Sequence, residues 1–387
     1  MSSDDFGSNP APSPGPLADL RVIDLATVIA GPGCARYLGD FGADVIKVER
    51  PGGDTARDLG WKDPRDQQSL WWKIVGRNKR TITLDLKDPE DLAVVLKLCD
   101  TADVLVENFR PGTLERLGLA PQVLHETNPD LIITRVTGFG QTGPYKDRAA
   151  FATQAEALSG FAALNGEPGG QPLLPPIALT DELTALAAAF ATMVAVHSGQ
   201  GQVVDVSLIE SMLQIMGPLV PLYGVLGQTQ ERLGAGIPYT VPRNTYQTSD
   251  GKWVAVSSSA ESVAQRVLAL IGMDGEPELA GFDGRVAHRE RIDARMSEWM
   301  LQRTQAQALV EFEQVDAAAA PVYDMADIFA DPQYQARNAI ITVDGVPMPQ
   351  LLAQLSVTPG EVRWAGRAQN EDSEQIRAEA EGLPDLL

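Results

Sequence analysis

Asp181 stands at the head of an alanine-rich apolar run that extends to His197, directly after Pro175, Pro176, Ile177, Ala178, Leu179 and Thr180. A carboxylate in the first turn of a helix meets free backbone N–H groups and the positive end of the helix dipole, which favour its anion. Two roles fit that placement. One is an ordinary N-terminal acid, with Glu182 showing the same habit; the other is a carboxylate nucleophile. The second feature is cationic: Lys73, Arg77, Lys79 and Arg80 fall within residues 73–80, just before a predicted strand. They do so in a chain with 31 Lys and Arg against 52 Asp and Glu, a formal net charge of −21. Such a stretch could grip phosphates through charge-assisted hydrogen bonds, or it could be a solvated loop. Arg50, followed by Pro51, Gly52 and Gly53, is a comparable cation on a turn at a strand end.

Other chemistries find less support. Gly31 and Gly33 follow a predicted strand and open a helix, as a dinucleotide fingerprint would, and Glu49 ends the next strand. The third glycine of that pattern is replaced by Arg36, whose bulk blocks close helix–sheet approach. There is no G-x-S-x-G, and His125, His197 and His288 all sit in helical contexts that read as structural. Two cysteines, Cys34 and Cys99, make neither a disulfide framework nor a four-ligand zinc site. No metal and no tightly bound cofactor are expected.

The elements that must position these residues alternate strand and helix. Strands are predicted at 21–25, 44–48, 81–85, 103–106, 131–136 and 203–208. Helices are predicted at 31–42, 89–99 and 181–197, so the fold class is α/β with a mainly parallel, doubly wound sheet. Residues 1–16, rich in Pro, Ser and Asp, read as a disordered arm. Residues 17–208 form the first part of a large domain, and 209–229 a connecting helix broken near Pro218 and Pro221. Residues 230–320 form a smaller domain, 321–368 return to the large one, and 369–387 are an acidic peripheral tail. The acidic field argues against nucleic-acid or membrane partners. The longest near-apolar run, 185–196, falls short of the ~20 residues of a membrane span. The N-terminus lacks the order of a signal peptide, so a cytoplasmic protein is expected.

Taken together, several segments resemble the family III CoA-transferases, a family that also holds the carnitine–CoA transferases and the α-methylacyl-CoA racemases. They are VIDLATVIAGPGCARYLGDFGADVIKVERPGGD (22–54), GRNKRTITLDLK (76–87), ADVLVENFRPG (102–112), GFGQTGPY (138–145), ALTDELTALAAAFATMVA (178–195), GQGQVVDVSLIES (199–211), RNTYQTSDGKWVAVS (243–257) and ADPQYQARN (330–338). The resemblance implies a Rossmann-like large domain built from both chain ends, an inserted smaller α+β domain, and a homodimer of interlocked rings. It also implies that CoA is a substrate, exchanged between an acyl-CoA and a carboxylic acid through aspartyl anhydride and thioester intermediates. Asp181 matches the family's nucleophile. Arg50, Asn78, Lys79, Arg80, Asn108, Phe109 and Arg116 match positions that contact CoA, and Gly234 and Gly236 lie near its mobile glycine loop. Ile29 departs from the glutamine of some formyl-CoA transferases, and Ala185 from a glycine found in some members. Racemisation needs a histidine base in a short motif, and the matching stretch, 148–152, has Phe151, which cannot carry a proton. A racemase or isomerase is thereby disfavoured, and a CoA-binding subunit without turnover is the remaining alternative.

Overall fold

The computed structural model describes residues 15–383. Apart from Gly15 and Pro16, the predicted N-terminal arm lies outside them. The chain divides into two compact units, one comprising 1–159, 175–217 and 333–387, the other 160–174 and 218–332.

The first unit is built on a six-stranded parallel sheet: β1 (Arg21–Asp24), β2 (Asp44–Glu49), β3 (Lys79–Thr83), β4 (Val104–Glu107), β5 (Ile132–Thr137) and β6 (Gln202–Ser207), in the order β3-β2-β1-β4-β5-β6. Successive strand residues face opposite ways, so the near-continuous apolar runs supply two core layers. Ile23, Ile46, Ile82, Leu105 and Ile133 pack on one face with the Pro89–Asp100 helix. Val22, Val45, Val104, Val106 and Ile132 pack on the other with α1 (Ala30–Asp40) and the Leu179–Ser198 helix. By length and composition alone, that last helix could cross a membrane. Here it buries a stripe of Thr180, Thr184, Ala185, Ala188, Thr192 and Ala195, and exposes Phe190 and Val194 on its other face. The glycines of the broken fingerprint have a packing role. A Cβ at Gly33 would come within 2.7 Å of Ala185 Cβ, so Gly33 lets the two helices close on one another.

The acidic tail is not peripheral. Its Ser373–Glu381 helix buries Ile376 and Ala380 in the first core layer. Ahead of it, Asp372 accepts from Thr81 N at 2.8 Å and Asn370 accepts from Thr83 N at 2.8 Å, which satisfies the open edge of β3. The helix's acids face outward, where Glu379 pairs with Arg80 at 2.8 Å. The predicted connecting helix at 209–229 is two helices, Leu208–Gln214 and Leu219–Leu226. The unit boundary falls between them, and the chain rejoins the first unit at Gln333 rather than 321.

The second unit contains an antiparallel sheet, β7 (Arg243–Gln247), β8 (Trp253–Ser257) and β9 (Ala319–Pro321), with β8 central. Helices Glu261–Leu270, Arg289–Leu301 and Gln305–Gln314 contribute to its core, in which Val254, Val256, Val267, Ile292, Met296 and Phe312 are buried. It also takes in 160–174, a segment the sequence reading gave to the large domain.

Candidate active site

Strand order in the six-stranded sheet reverses between β1 and β4. In open α/β sheets the crevice beyond the carboxyl ends of the strands at such a point is where ligands bind. A cavity of about 300 Å³ lies there, lined by 27–30 after β1, 108–111 after β4, 136–138 at the end of β5, and Asp181. Asn108 sets the shape of the β1 loop: its Oδ1 accepts from Thr27 N at 2.8 Å and its Nδ2 donates to Thr27 O at 2.7 Å. Phe109 joins it in the cavity wall. The next residue of the loop, Val28, has φ +71°, a left-handed conformation that a β-branched side chain rarely adopts.

Asp181 is the third residue of its helix, and no donor among the described residues reaches its half-buried carboxylate. Burial first, then the neighbouring charges of Glu156 and Glu182, push its pKa up to about 6. The helix start, expected to favour the anion, is therefore overridden. Each acidic neighbour is itself anchored. Glu156, buried, accepts from Thr180 Oγ1 at 3.0 Å, while Glu182 accepts from Arg36 Nη2 at 2.9 Å and from Tyr37 OH at 3.0 Å. Arg36, which breaks the dinucleotide pattern, here holds the residue next to Asp181. An anionic, under-solvated carboxylate facing a cavity is suited to nucleophilic attack.

A pH profile follows. If Asp181 is the nucleophile, only its anion attacks, and kcat/KM should fall about tenfold per unit as pH drops below about 6. Glu156→Gln keeps the acceptor for Thr180 but removes a negative neighbour, so the carboxylate becomes easier to ionise. The acid limb should then move to lower pH in steady-state assays of that variant.

The other predicted residues divide. Asn108 and Phe109 meet Asp181 at the cavity. Arg50 and Arg116 are exposed at the carboxyl side of β2 and β4. Arg50 Nε donates to Gly53 O at 3.0 Å and Arg116 Nη2 to Thr113 Oγ1 at 2.8 Å, and neither has a carboxylate partner among the described residues. The basic stretch is spent internally and does not line the cavity. Asn78 donates to Asp40 and to Glu361 O; Lys79, fully buried, donates to Asp24 Oδ2 at 2.8 Å and Pro32 O at 2.6 Å. Arg80 pairs with Asp44 and Glu379, Arg77 with Asp40, and Lys73 with Asp66. Neither the phosphate grip nor the solvated loop describes them. Gly234 and Gly236 belong to the second unit, where Gly234, at φ +58°, donates to Gly166 O at 3.1 Å.

Three cations that the sequence reading passed over line the Asp181 cavity: Arg110, Lys146 and Arg148. None has a carboxylate partner among the described residues, and Arg148 stacks 3.6 Å from the centroid of Tyr145. Phe151, 73% exposed, lines the same cavity, whereas none of the three histidines does.

An open parallel sheet whose switch point presents an unpaired carboxylate and a cationic wall is a doubly wound α/β fold with its ligand crevice at that point. A family model described as CoA-transferase family III matches residues 17–373. The chain belongs to the family III CoA-transferases, and its activity is CoA transfer with CoA thioesters as substrates. It is 39% identical over 383 residues to the succinyl-CoA–D-citramalate CoA-transferase of Chloroflexus aurantiacus, covering 96% of this chain and 95% of that protein. It is 41% identical over 389 residues to the beta subunit of the succinyl-CoA–L-malate CoA-transferase of the same organism, covering 96% and 95%. Among solved structures, a CAIB/BAIF family protein from Brucella suis superposes with a TM-score of 0.84 at 32% identity, covering 95% of this chain and 99% of that one.

Proposed function

We propose that the enzyme moves CoA from a dicarboxylic acyl-CoA of the succinyl type to a second dicarboxylic acid, with Asp181 as the covalent relay. The observation that carries this is the unpaired Asp181 carboxylate in a cavity whose other charged lining residues are Arg110, Lys146 and Arg148. The two Chloroflexus relatives, named for succinyl-CoA with citramalate and with malate, support the same acid class.

In this reading an Asp181 oxygen attacks the thioester carbonyl carbon. The C–S bond breaks, leaving a mixed anhydride and CoA thiolate. The thiolate attacks the Asp181 carbonyl carbon, the anhydride C–O bond breaks, and the donor acid leaves with CoA held as an aspartyl thioester. The acceptor carboxylate then attacks that thioester, releasing thiolate, which attacks the acceptor's own carbonyl and restores Asp181. Each activated acyl bond is exchanged for one of similar energy, and the covalent relay divides the exchange into easier steps. The tetrahedral oxyanions need preorganised donors. The N–H groups of Ile29 and Ala30 suit that role, having no acceptor among the described residues and lying in the cavity wall. Arg50 and Arg116, exposed and without carboxylate partners, are suited to the CoA phosphates. Phe151, with no titratable proton, disfavours racemisation.

We also infer the interlocked homodimer that the resemblance implies. Exposed Phe190 and Val194 on the first unit, and exposed Val220, Tyr223, Val225 and Leu226 on the second, are apolar surface that a second copy would cover.

An acceptor panel tests the substrate class. With succinyl-CoA as donor, dicarboxylic acids should give kcat/KM at least about tenfold above monocarboxylic acids of equal chain length, the effect of one charge-assisted contact. Equal use of both would remove the dicarboxylate assignment.

A further inference from the structure

Behind the cavity loop lies a group of buried charges to which the transfer steps assign no role. Lys47 on β2 is fully buried, with Nζ 3.0 Å from Asp54 Oδ2 and 3.7 Å from Asp24 Oδ1, and it also donates to Ala26 O. Asp54 Oδ1 accepts from Val28 N at 3.1 Å and from Ala56 N at 2.8 Å. Asp24 Oδ1 accepts from Ala26 N at 3.0 Å, and Lys79 links Asp24 to Pro32 O. Almost every arm of this network ends on the 26–32 segment, and Asn108 secures Thr27 from the other side. Burying four charges is expensive, and an apolar core of the same volume would fill the space at lower cost. What the charges supply is directional bonding at Val28, whose left-handed backbone persists only where its surroundings over-determine it.

We propose that Asp54 and Lys47 are positioning residues for CoA transfer, clamping the Val28 turn so that the N–H groups of Ile29 and Ala30 face the oxygen of the carbonyl group attacked by Asp181. This rests on the reading of Asp181 as nucleophile and extends it to residues that touch no substrate. The clamp acts on the loop's conformation and leaves the CoA contacts alone.

Asp54→Asn preserves size and the acceptor for Val28 N but removes the charge that fixes Lys47. Its kcat should fall about 10- to 100-fold for every acyl-CoA and acid pair, less than the roughly 10²- to 10³-fold lost when a single oxyanion donor is removed outright. KM and the Kd for CoA should move less than about threefold. Deuterium uptake of the peptide spanning 26–31 should rise. The decisive variant is Asp54→Asn combined with Val28→Gly. Glycine adopts a positive φ without steric cost, so the pair should regain about tenfold in kcat. A merely structural ion pair predicts no such rescue, since glycine only loosens the chain further. If Asp54→Asn fails to fold, Asp54→Glu keeps the charge and displaces it by one methylene, with the same readouts. A folded Asp54 variant with kcat within threefold of wild type, or a loss that Val28→Gly leaves unchanged, would overturn the proposal. Either result leaves Asp181 untouched as nucleophile, whereas an active Asp181→Asn enzyme overturns that reading by itself.

Discussion

The Asp181→Asn enzyme should lose CoA transfer by about 10³-fold or more, yet be more stable than wild type above pH 6. Loss of activity follows from chemistry: a carboxamide is a poor nucleophile and forms no anhydride. The gain in stability follows from the raised pKa. In the unfolded chain the carboxyl ionises near its ordinary value of 3.8, and in the folded protein only at about 6. The native state therefore penalises the anion, and stability is lost as pH rises between those values and stays reduced above them. Two units would correspond to about 3 kcal/mol, and partial solvent screening reduces this to about 1–2 kcal/mol. Asparagine carries no such penalty, so thermal unfolding at pH 8 should shift up by a few degrees, with little difference at pH 3.5. An unchanged or lower Tm at pH 8 would mean that Asp181 is not strained by its surroundings.

The second large effect is expected at Arg148. Stacked on Tyr145 and free of any carboxylate partner among the described residues, it is held ready for an anionic group. A charge-assisted bond to a distal carboxylate contributes about 1.5–3 kcal/mol. Arg148→Ala should therefore lower kcat/KM for dicarboxylic acceptors about 10- to 100-fold and leave monocarboxylic acceptors within about threefold. The same cation could instead meet a CoA phosphate. In that case KM for every acyl-CoA would rise alike, whatever the acid, and the acceptor preference would stay as in the wild type.

The sheet was legible because β1, β2, β4 and β5 are buried on both faces, so runs such as Val22–Ile23 and Val104–Leu105–Val106 feed both layers and show as short apolar blocks. The C-terminal helix was not legible, since only Ile376 and Ala380 mark its inner face among many acids. The basic stretch misled for a related reason. Local charge density does not reveal partners, and Asp24, Asp40 and Asp44, which take up Lys79, Arg77 and Arg80, lie 36 to 55 residues earlier in the chain. At the site, the resemblance pointed to Asp181 as the nucleophile, whereas its raised pKa could not be read, because Glu156 reaches it from a separate helix. Arg110, Lys146 and Arg148 escaped notice as single cations in glycine- and proline-rich loops. The signal that could have found them is position: each follows the carboxyl end of β4 or β5.

If Asp181 itself carries the acyl group and then CoA, oxygen from the acceptor acid must pass through its carboxylate, and ¹⁸O labelling follows that passage. An acceptor acid labelled with ¹⁸O in its carboxylates is incubated with succinyl-CoA and the enzyme, and the peptide containing Asp181 is weighed by mass spectrometry after proteolysis. The anhydride oxygen contributed by the acceptor must stay on Asp181 when thiolate removes the acyl group. The peptide should therefore gain the mass of one or two ¹⁸O atoms over successive turnovers, and the label should later emerge in released succinate. Full transfer of CoA with no ¹⁸O in that peptide would show that Asp181 is not the covalent relay.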